Sequence, residues 1–142
     1  MNRYRCVVRK GLCGIEDTMA IRVRVFHDEQ GFTEVIDETD PVAHNIVLYD
    51  GERPIATGRL FPYRDGIYKI GRVAVEQEYR RGGTGRELMA QLEALARSLG
   101  AQAIQLSAQE GAIGFYERLG YAAFGEWYMD EHCPHRDMTK TL

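Results

Sequence analysis

Residues 79–86 read Tyr-Arg-Arg-Gly-Gly-Thr-Gly-Arg, and an apolar pattern of helical period follows directly. Four leucines stand at positions 88, 92, 95 and 99, and Gly100 follows the last of them. This spacing predicts an amphipathic helix that begins at the glycines and ends at Gly100. The leucines span too few heptads for a coiled coil, so we interpret them as the helix face that packs on a sheet.

The glycine-rich start of this helix is a candidate phosphate-binding site. The first N–H groups of a helix have no partner within it, and the positive end of the helix dipole attracts anions. Glycines let the backbone approach an anion closely, and Arg80, Arg81 and Arg86 add positive charge. A glycine-rich turn with solvated arginines is the alternative interpretation, and the spacing alone does not decide between the two.

Two common nucleotide-binding motifs are absent from the chain. The dinucleotide pattern G-x-G-x-x-G would use Gly83 and Gly85 but meets Leu88 where its third glycine belongs. The P-loop requires Gly-Lys followed by Ser or Thr, and no such tripeptide occurs. A phosphate site at this helix is therefore of another kind.

The composition is that of one ordinary domain over residues 1–142. The net charge is −3, with 44% hydrophobic and 27% charged residues, which disfavours bulk attraction to nucleic acid or to an anionic membrane. The odd set of three cysteines argues against a disulfide framework. No apolar stretch reaches the length of a signal peptide or membrane span. We expect a cytoplasmic protein without nucleic-acid or membrane partners.

The N-terminal half predicts a strand, helical segments and an antiparallel meander. Apolar residues Ile15, Met19, Val23 and Phe26 indicate an amphipathic helix, and residues 27–41 are interpreted as a short helix and loop. Two Asp-Gly pairs, at 50–51 and 65–66, predict hairpin turns. The strands predicted in this half are residues 4–10, 45–49, 54–63 and 67–75.

The C-terminal half continues the sheet. A helical crossover after residue 75 places the strand at 103–108 parallel to the strand at 67–75. A second short helix is predicted over residues 111–119, and two final strands over 121–128 and 136–141. The fold class is therefore α/β, with a mixed, mainly antiparallel central sheet flanked by helices.

Two motifs in this order resemble the GNAT superfamily of N-acetyltransferases. Arg80-x-x-Gly83-x-Gly85, entered from the strand 72–75, resembles the acyl-CoA-binding motif of that superfamily. Residues 109–121 (Gln-Glu-Gly-Ala-Ile-Gly-Phe-Tyr-Glu-Arg-Leu-Gly-Tyr) resemble its later motif, with Gln109 in place of Asn and Tyr121 in place of Phe. Segments 21–31, 70–75, 107–109 and 134–138 look like a bacterial branch of small, poorly characterised members.

The resemblance implies a GNAT fold with splayed fourth and fifth strands that hold acetyl-CoA as cosubstrate between them. In that family a tyrosine at the position of Tyr116 donates a proton to the departing thiolate, although a core aromatic is the alternative role here. The residues that the resemblance assigns to the cofactor are Val73, Ala74, Val75, Arg80, Arg81, Gly82, Gly83, Thr84, Gly85, Arg86, Gln109, Phe115 and Tyr116.

The sequence leaves the general base open, since Glu76, Glu29, Glu38, His44 or a water chain could accept the proton of the acceptor amine. Arg24 and Arg72 are candidates for holding an acceptor carboxylate or phosphate. Arg72 could instead form an ion pair with Glu29, Asp37 or Glu38. The predicted acceptor-site residues are Arg24, Glu29, His44 and Arg72.

The leading hypothesis is an N-acyltransferase that moves an acetyl group from acetyl-CoA to a primary amine by direct attack. We expect the acceptor to be a small molecule, with a protein amine second. A non-catalytic module that senses acyl-CoA is the alternative. The His-Cys-Pro-His stretch at 132–135 lacks the usual zinc spacing, so no metal is predicted. Members of the family often pair through sheet edges, which makes a homodimer compatible with the resemblance.

Overall fold

A computed structural model describes residues 2–142, which form one seven-stranded sheet with helices on both faces. The strands are β1 (Arg5–Lys10), β2 (His44–Asp50), β3 (Arg53–Arg64), β4 (Ile67–Val75), β5 (Ala103–Gln109), β6 (Ala122–Asp130) and β7 (Cys133–Thr141). The helices are α1 (Glu16–Arg22), α2 (Thr84–Ser98) and α3 (Ile113–Arg118). Across the described residues, no helix is both long enough and apolar enough to cross a membrane.

The strand order in the sheet is β1-β2-β3-β4-β5-β7-β6. All neighbouring strands are antiparallel except β4 and β5, which the α2 crossover makes parallel. The predicted Asp-Gly hairpins are present, and Gly51 and Gly66 have the positive φ angles that such turns require. The mixed, mainly antiparallel sheet predicted from the sequence is confirmed.

The two parallel strands separate after one short stretch of pairing. Residues 67–70 of β4 pair with residues 103–106 of β5, and no pairing between these strands continues beyond Ile70 in the part of the chain that the structure describes. At the same level β4 carries a bulge, because its register with β3 shifts between Thr57 and Arg59 and Arg72 has a φ of +50°. The predicted splay of the fourth and fifth strands is therefore present.

The two faces of the sheet bury separate cores. On one face α2 and α3 cover a core that includes Leu88, Leu92 and Tyr116. On the other face α1 covers a smaller core that includes Ile21 and Val25. We call these the α2 face and the α1 face. Alternation along β4 places Val73 and Val75 on the α2 face and Ala74 on the α1 face.

Two details of the first helical region differ from the prediction. The chain does not form a separate short helix after Phe26; α1 continues directly into π-helical turns over Val23–Glu29, and a single 3₁₀ turn follows at Asp40–Val42. The buried face of α1 contains Thr18 and Arg22, whereas Val23 of the predicted stripe is exposed. Thr18 contacts the Thr57 hydroxyl of β3, and Arg22 pairs with Asp40 of the 3₁₀ turn and donates to Asn45 of β2, which compensates for much of the cost of burying them.

Candidate active site

The splay between β4 and β5 opens into a cleft of about 1150 Å³ that reaches both faces of the sheet. The predicted residues that line it are Arg72, Val73, Ala74, Val75, Arg80, Arg81, Gly83, Gly85, Arg86, Gln109, Phe115 and Tyr116. Gly82, just before α2, and Thr84, its first residue, do not line the cleft, and Thr84 is buried. Most of the predicted cofactor site therefore lies in one place.

The first turn of α2 faces this cleft without a side-chain cap. Gly83 is the N-cap residue, with a φ of +86°, and makes no capping hydrogen bond through a side chain. A Cβ atom on Gly85 would lie 3.1 Å from the Phe115 ring, so a larger residue here would require that ring to move. The free amides and the helix dipole make this turn suited to an anion.

Three of the cations around the turn are not neutralised by carboxylates. Arg80 forms a bidentate pair with Glu29, at 2.6 and 2.7 Å, and its Nε donates to the Val75 carbonyl oxygen. Arg81, Arg86 and Arg118 also line the cleft, and none of them has an ion pair with another described residue. The α2 face of the cleft is thus positively charged.

Tyr116 is buried at the base of the cleft, with 7% of its surface exposed. Its ring packs against the rings of Phe115 and Tyr121, so Tyr116 is also an aromatic residue of the core. Burial raises the pKa of its hydroxyl well above the ordinary value. The group is therefore a protonated donor at neutral pH.

Below the α1 face lies a buried ion network. Arg22 and Asp40 are both fully buried and pair at 2.9 Å, and Arg22 also donates to Asn45 at 2.9 Å. Arg59 joins the network through Asp40 at 3.2 Å. Only the Arg22 and Arg59 Nε atoms and the Asn45 Nδ2 atom of this group lack hydrogen-bond partners. The network anchors the segment between α1 and β2 to the sheet.

Asp37 extends this network to the cleft. Arg59 donates to both of its oxygens, at 2.6 and 3.0 Å, and Arg72 approaches it at 3.2 Å. Its hydrogen bond with Arg59 holds the pKa of Asp37 down at about 2 despite burial. Arg72 therefore forms the ion pair with Asp37 that the sequence left open, and it holds the loop at residues 34–37 against the bulge of β4.

Five of the candidate bases and acceptor-site residues lie outside the cleft lining. Arg24 and Glu76 pair with each other at 2.5 Å, and Glu29 is engaged by Arg80. His44 lies on β2, two strands from the splay, where burial and Lys10 lower its pKa. Glu38 does not line the cleft either. Of the predicted acceptor-site residues, the structure places only Arg72 in the cleft.

The α1 face of the cleft contains a cluster of three carboxylates that sequence reasoning missed. Asp130, Glu131 and Asp137 come from β6, the following turn and β7. Glu131 accepts hydrogen bonds from the backbone N–H groups of Thr33 and Glu34, which lower its pKa and fix the loop against the hairpin. The sequence signal for this cluster was the presence of acidic residues in the last two strands. Only the pairing of β7 with β5 brings these residues to the splay.

Other polar side chains close this side of the cleft. Gln109 donates to the Gln30 side-chain oxygen at 2.9 Å, which joins the end of β5 to the end of the π-helical turns. Tyr128 donates to Asp137 at 2.7 Å and is joined by Ser107.

Among residues 2–142 no group of three or more His, Cys, Asp and Glu side chains is arranged to hold a metal ion.

Known proteins share this architecture. The family model described as "Acetyltransferase (GNAT) family" matches residues 15–121. YjcF of Bacillus subtilis (strain 168), an uncharacterized N-acetyltransferase, is 35% identical over 139 residues, or 96% of this chain and 99% of that protein. A candidate N-acetyltransferase from Lactobacillus plantarum is 29% identical and has a TM-score of 0.90 over 99% of both chains.

A GNAT family acetyltransferase from Elizabethkingia anophelis, solved with acetyl-CoA bound, has the same fold at 12% identity, with a TM-score of 0.76 over 96% of this chain and 98% of that one. The splayed parallel strands, the uncapped glycine turn and the matched family model agree. The chain belongs to the GNAT family of acetyltransferases.

Proposed function

We propose that the protein transfers the acetyl group of acetyl-CoA to a primary amine of a small molecule by direct attack of the amine. The observation that carries this proposal is the opposite charge of the two cleft faces. Arginines without carboxylate partners line the α2 face, and carboxylates from the β6–β7 hairpin line the α1 face. An anionic cofactor and a cationic acceptor would enter from opposite faces and meet between β4 and β5.

The residues present fit acetyl-CoA. The N–H groups at the start of α2 would hold its pyrophosphate, next to Arg81 and Arg86. Beyond Ile70 the β5-facing backbone groups of β4 have no partner strand within the described chain, so they are available to the pantetheine amides. Bound acetyl-CoA supplies an activated acyl thioester. An N–H group of residues 73–75 would stabilise the negative charge that develops on its carbonyl oxygen.

Two features support direct attack. A tyrosine hydroxyl is protonated at neutral pH and burial raises the pKa of Tyr116 further, so this group can supply a proton to the departing thiolate. Cys6, Cys13 and Cys133 all lie outside the cleft lining, so no thiol is placed to accept the acyl group. This arrangement supports transfer of the acyl group directly to the attacking amine.

The acceptor side supports a small molecule. It lies between the loop at residues 32–37 and the β6–β7 hairpin, which Glu131 joins through its hydrogen bonds to Thr33 and Glu34. A compact amine can reach the splay from this side, whereas a protein amine would need an extended side chain to do so. The proposed reaction involves no nucleic-acid or membrane partner. The homodimer that the family resemblance allows stays a prediction.

The test combines binding and turnover. Calorimetric titration with acetyl-CoA should give micromolar affinity, and thiol release should be measured with spermidine, tyramine and benzylamine as acceptors. We expect amine-dependent release of CoA with at least one of the three, and Tyr116→Phe should retain binding while losing turnover. Binding without amine-dependent thiol release would contradict the proposal and favour an acyl-CoA sensor.

A further inference from the structure

His135 is a buried imidazole on the acceptor side of the cleft. It lies on β7 opposite Gln109 of β5, and 5% of its surface is exposed. Alternation along β5 directs Gln109 away from the buried Leu106 and Ala108, toward the α1 face, and His135 shares that face. The imidazole also lines the cleft. It therefore lies where an acceptor amine would approach the splay.

One hydrogen bond determines which ring nitrogen carries the proton. The Nδ1 atom of His135 lies 2.9 Å from the Cys133 carbonyl oxygen. A carbonyl oxygen only accepts hydrogen bonds, so Nδ1 must be the protonated nitrogen. In the neutral ring the Nε2 atom then has a free lone pair. Nε2 is the proton-accepting atom of this side chain.

A carboxylate and two aromatic rings surround this nitrogen and its ring. The Nε2 atom of His135 lies 4.0 Å from the carboxylate of Asp130. The rings of Tyr128 and Phe32 flank the imidazole and restrict its rotation. The other titratable groups around it are Asp137 on its own strand, Glu131 and His132 in the preceding turn, and Cys133.

The other acidic residues of the cleft have partners, and the weakest of these contacts joins Glu34 to Arg72 at 3.9 Å. Asp37 is held as a carboxylate by Arg59 and Arg72, with a pKa of about 2. Glu131 accepts hydrogen bonds from the loop, and Asp137 accepts one from Tyr128. The carboxylates proposed from the sequence, Glu29 and Glu76, are paired with arginines outside the lining. His135 is the cleft residue with an unengaged basic nitrogen beside a carboxylate.

We propose that His135 is the general base of the acetyl transfer, an assignment that rests on the function proposed above. Its Nε2 atom accepts one proton from the acceptor ammonium and later releases it to solvent. The freed amine nitrogen forms a bond to the thioester carbonyl carbon, and the C–S bond breaks. Tyr116 gives its proton to the sulfur and recovers one from the acylated nitrogen through water. The products are the amide and free CoA, and one proton is released overall.

The tautomer can be tested without any acceptor. Nitrogen NMR of the imidazole rings in the acetyl-CoA complex, with His135→Asn to assign the signal, should show His135 as the Nδ1–H tautomer near pH 8. An Nε2–H tautomer would overturn the proposal, because its basic nitrogen would then face the Cys133 carbonyl.

The catalytic role needs a pH profile. For the amine that wild type acetylates fastest among spermidine, tyramine and benzylamine, His135→Asn should lower kcat/KM by about 100-fold or more at pH 7. The loss should shrink as pH rises, because a larger fraction of the amine is then already neutral. His132→Asn is the matched control, since His132 is exposed, packs on the same Phe32 ring and lies outside the cleft lining.

Binding separates a folding defect from a catalytic one. His135→Asn should bind acetyl-CoA within about twofold of wild type by calorimetry. A variant that binds normally and acetylates at the wild-type rate would overturn the assignment of His135 and leave the acetyltransferase function standing. A pH-independent loss of rate would also overturn it, since a structural role predicts that result. A wild-type protein that acetylates none of the three amines would instead contradict the proposed function.

Discussion

Asp40→Asn should destabilise the protein far more than the loss of a surface ion pair. The substitution keeps the side-chain shape but removes the charge that faces Arg22 at 2.9 Å, and both side chains are fully buried. Breaking a buried pair by changing one partner costs about 3–5 kcal/mol, because the other charge stays buried without compensation. For a chain of 142 residues that loss corresponds to a Tm lower by roughly 10–17 °C.

The matched control for this prediction is Glu78→Gln. Glu78 pairs with Arg53 at 2.8 Å, a similar distance, but the two side chains are 68% and 47% exposed. Surface pairs of this kind contribute about 0–1 kcal/mol. Both variants should be compared with wild type by urea unfolding at neutral pH, followed by circular dichroism. If Asp40→Asn lowers the free energy of unfolding by no more than Glu78→Gln does, the buried network does not stabilise the fold as described.

Three further predictions concern the cleft. Asp37 has a depressed pKa of about 2, so its ionised form stabilises the fold fully above the ordinary pKa of 3.8, and this stabilisation is lost as pH falls toward 2. Asp37→Asn should therefore flatten the pH dependence of the free energy of unfolding across that window. Tyr116→Phe should lower kcat by about 100-fold or more with little change in acetyl-CoA affinity, and a wild-type kcat would exclude Tyr116 as the acid. Gly85→Val should weaken acetyl-CoA binding at least tenfold, because even a Cβ atom at this position would lie 3.1 Å from the Phe115 ring. Gly114→Ala is the control and should bind normally, because its Cβ would meet only the flexible end of the Arg118 side chain, at 3.5 Å.

The sequence was sufficient wherever one local pattern determined the structure. The Asp-Gly pairs predicted the meander, and the leucines after the glycines predicted α2 and its uncapped start. Because α2 is the crossover between β4 and β5, the parallel pair followed from these two elements. The resemblance of the two motifs to the family added the prediction that β4 and β5 splay apart, a feature that no local sequence pattern indicates. Most of the residues that line the α2 face of the cleft could therefore be predicted.

The acceptor side depended on tertiary pairing that the sequence does not show. Arg22 lies at the spacing of the apolar face of α1, three residues after Met19, but only the folded chain brings Asp40 and Asn45 to it as partners. In the sequence His135 belongs to the His-Cys-Pro-His stretch and to the family-like segment 134–138, and neither pattern indicates a role for its basic nitrogen. That nitrogen reaches the cleft only because β7 pairs with β5. The acidic segment at 37–40 was the available signal for a buried cation nearby, since carboxylates close to an apolar helix need partners.

The central claim is that acetyl-CoA lies in the splay with its pyrophosphate on the first turn of α2. The most direct measurement is a two-dimensional NMR titration of the nitrogen-labelled protein with acetyl-CoA, following backbone amide signals. The account predicts that the largest shifts fall at residues 73–75 and 81–86, with the Gly83 and Gly85 amides among them. Saturating acetyl-CoA that leaves these amides unmoved, or that shifts a set of residues outside the cleft, would contradict it.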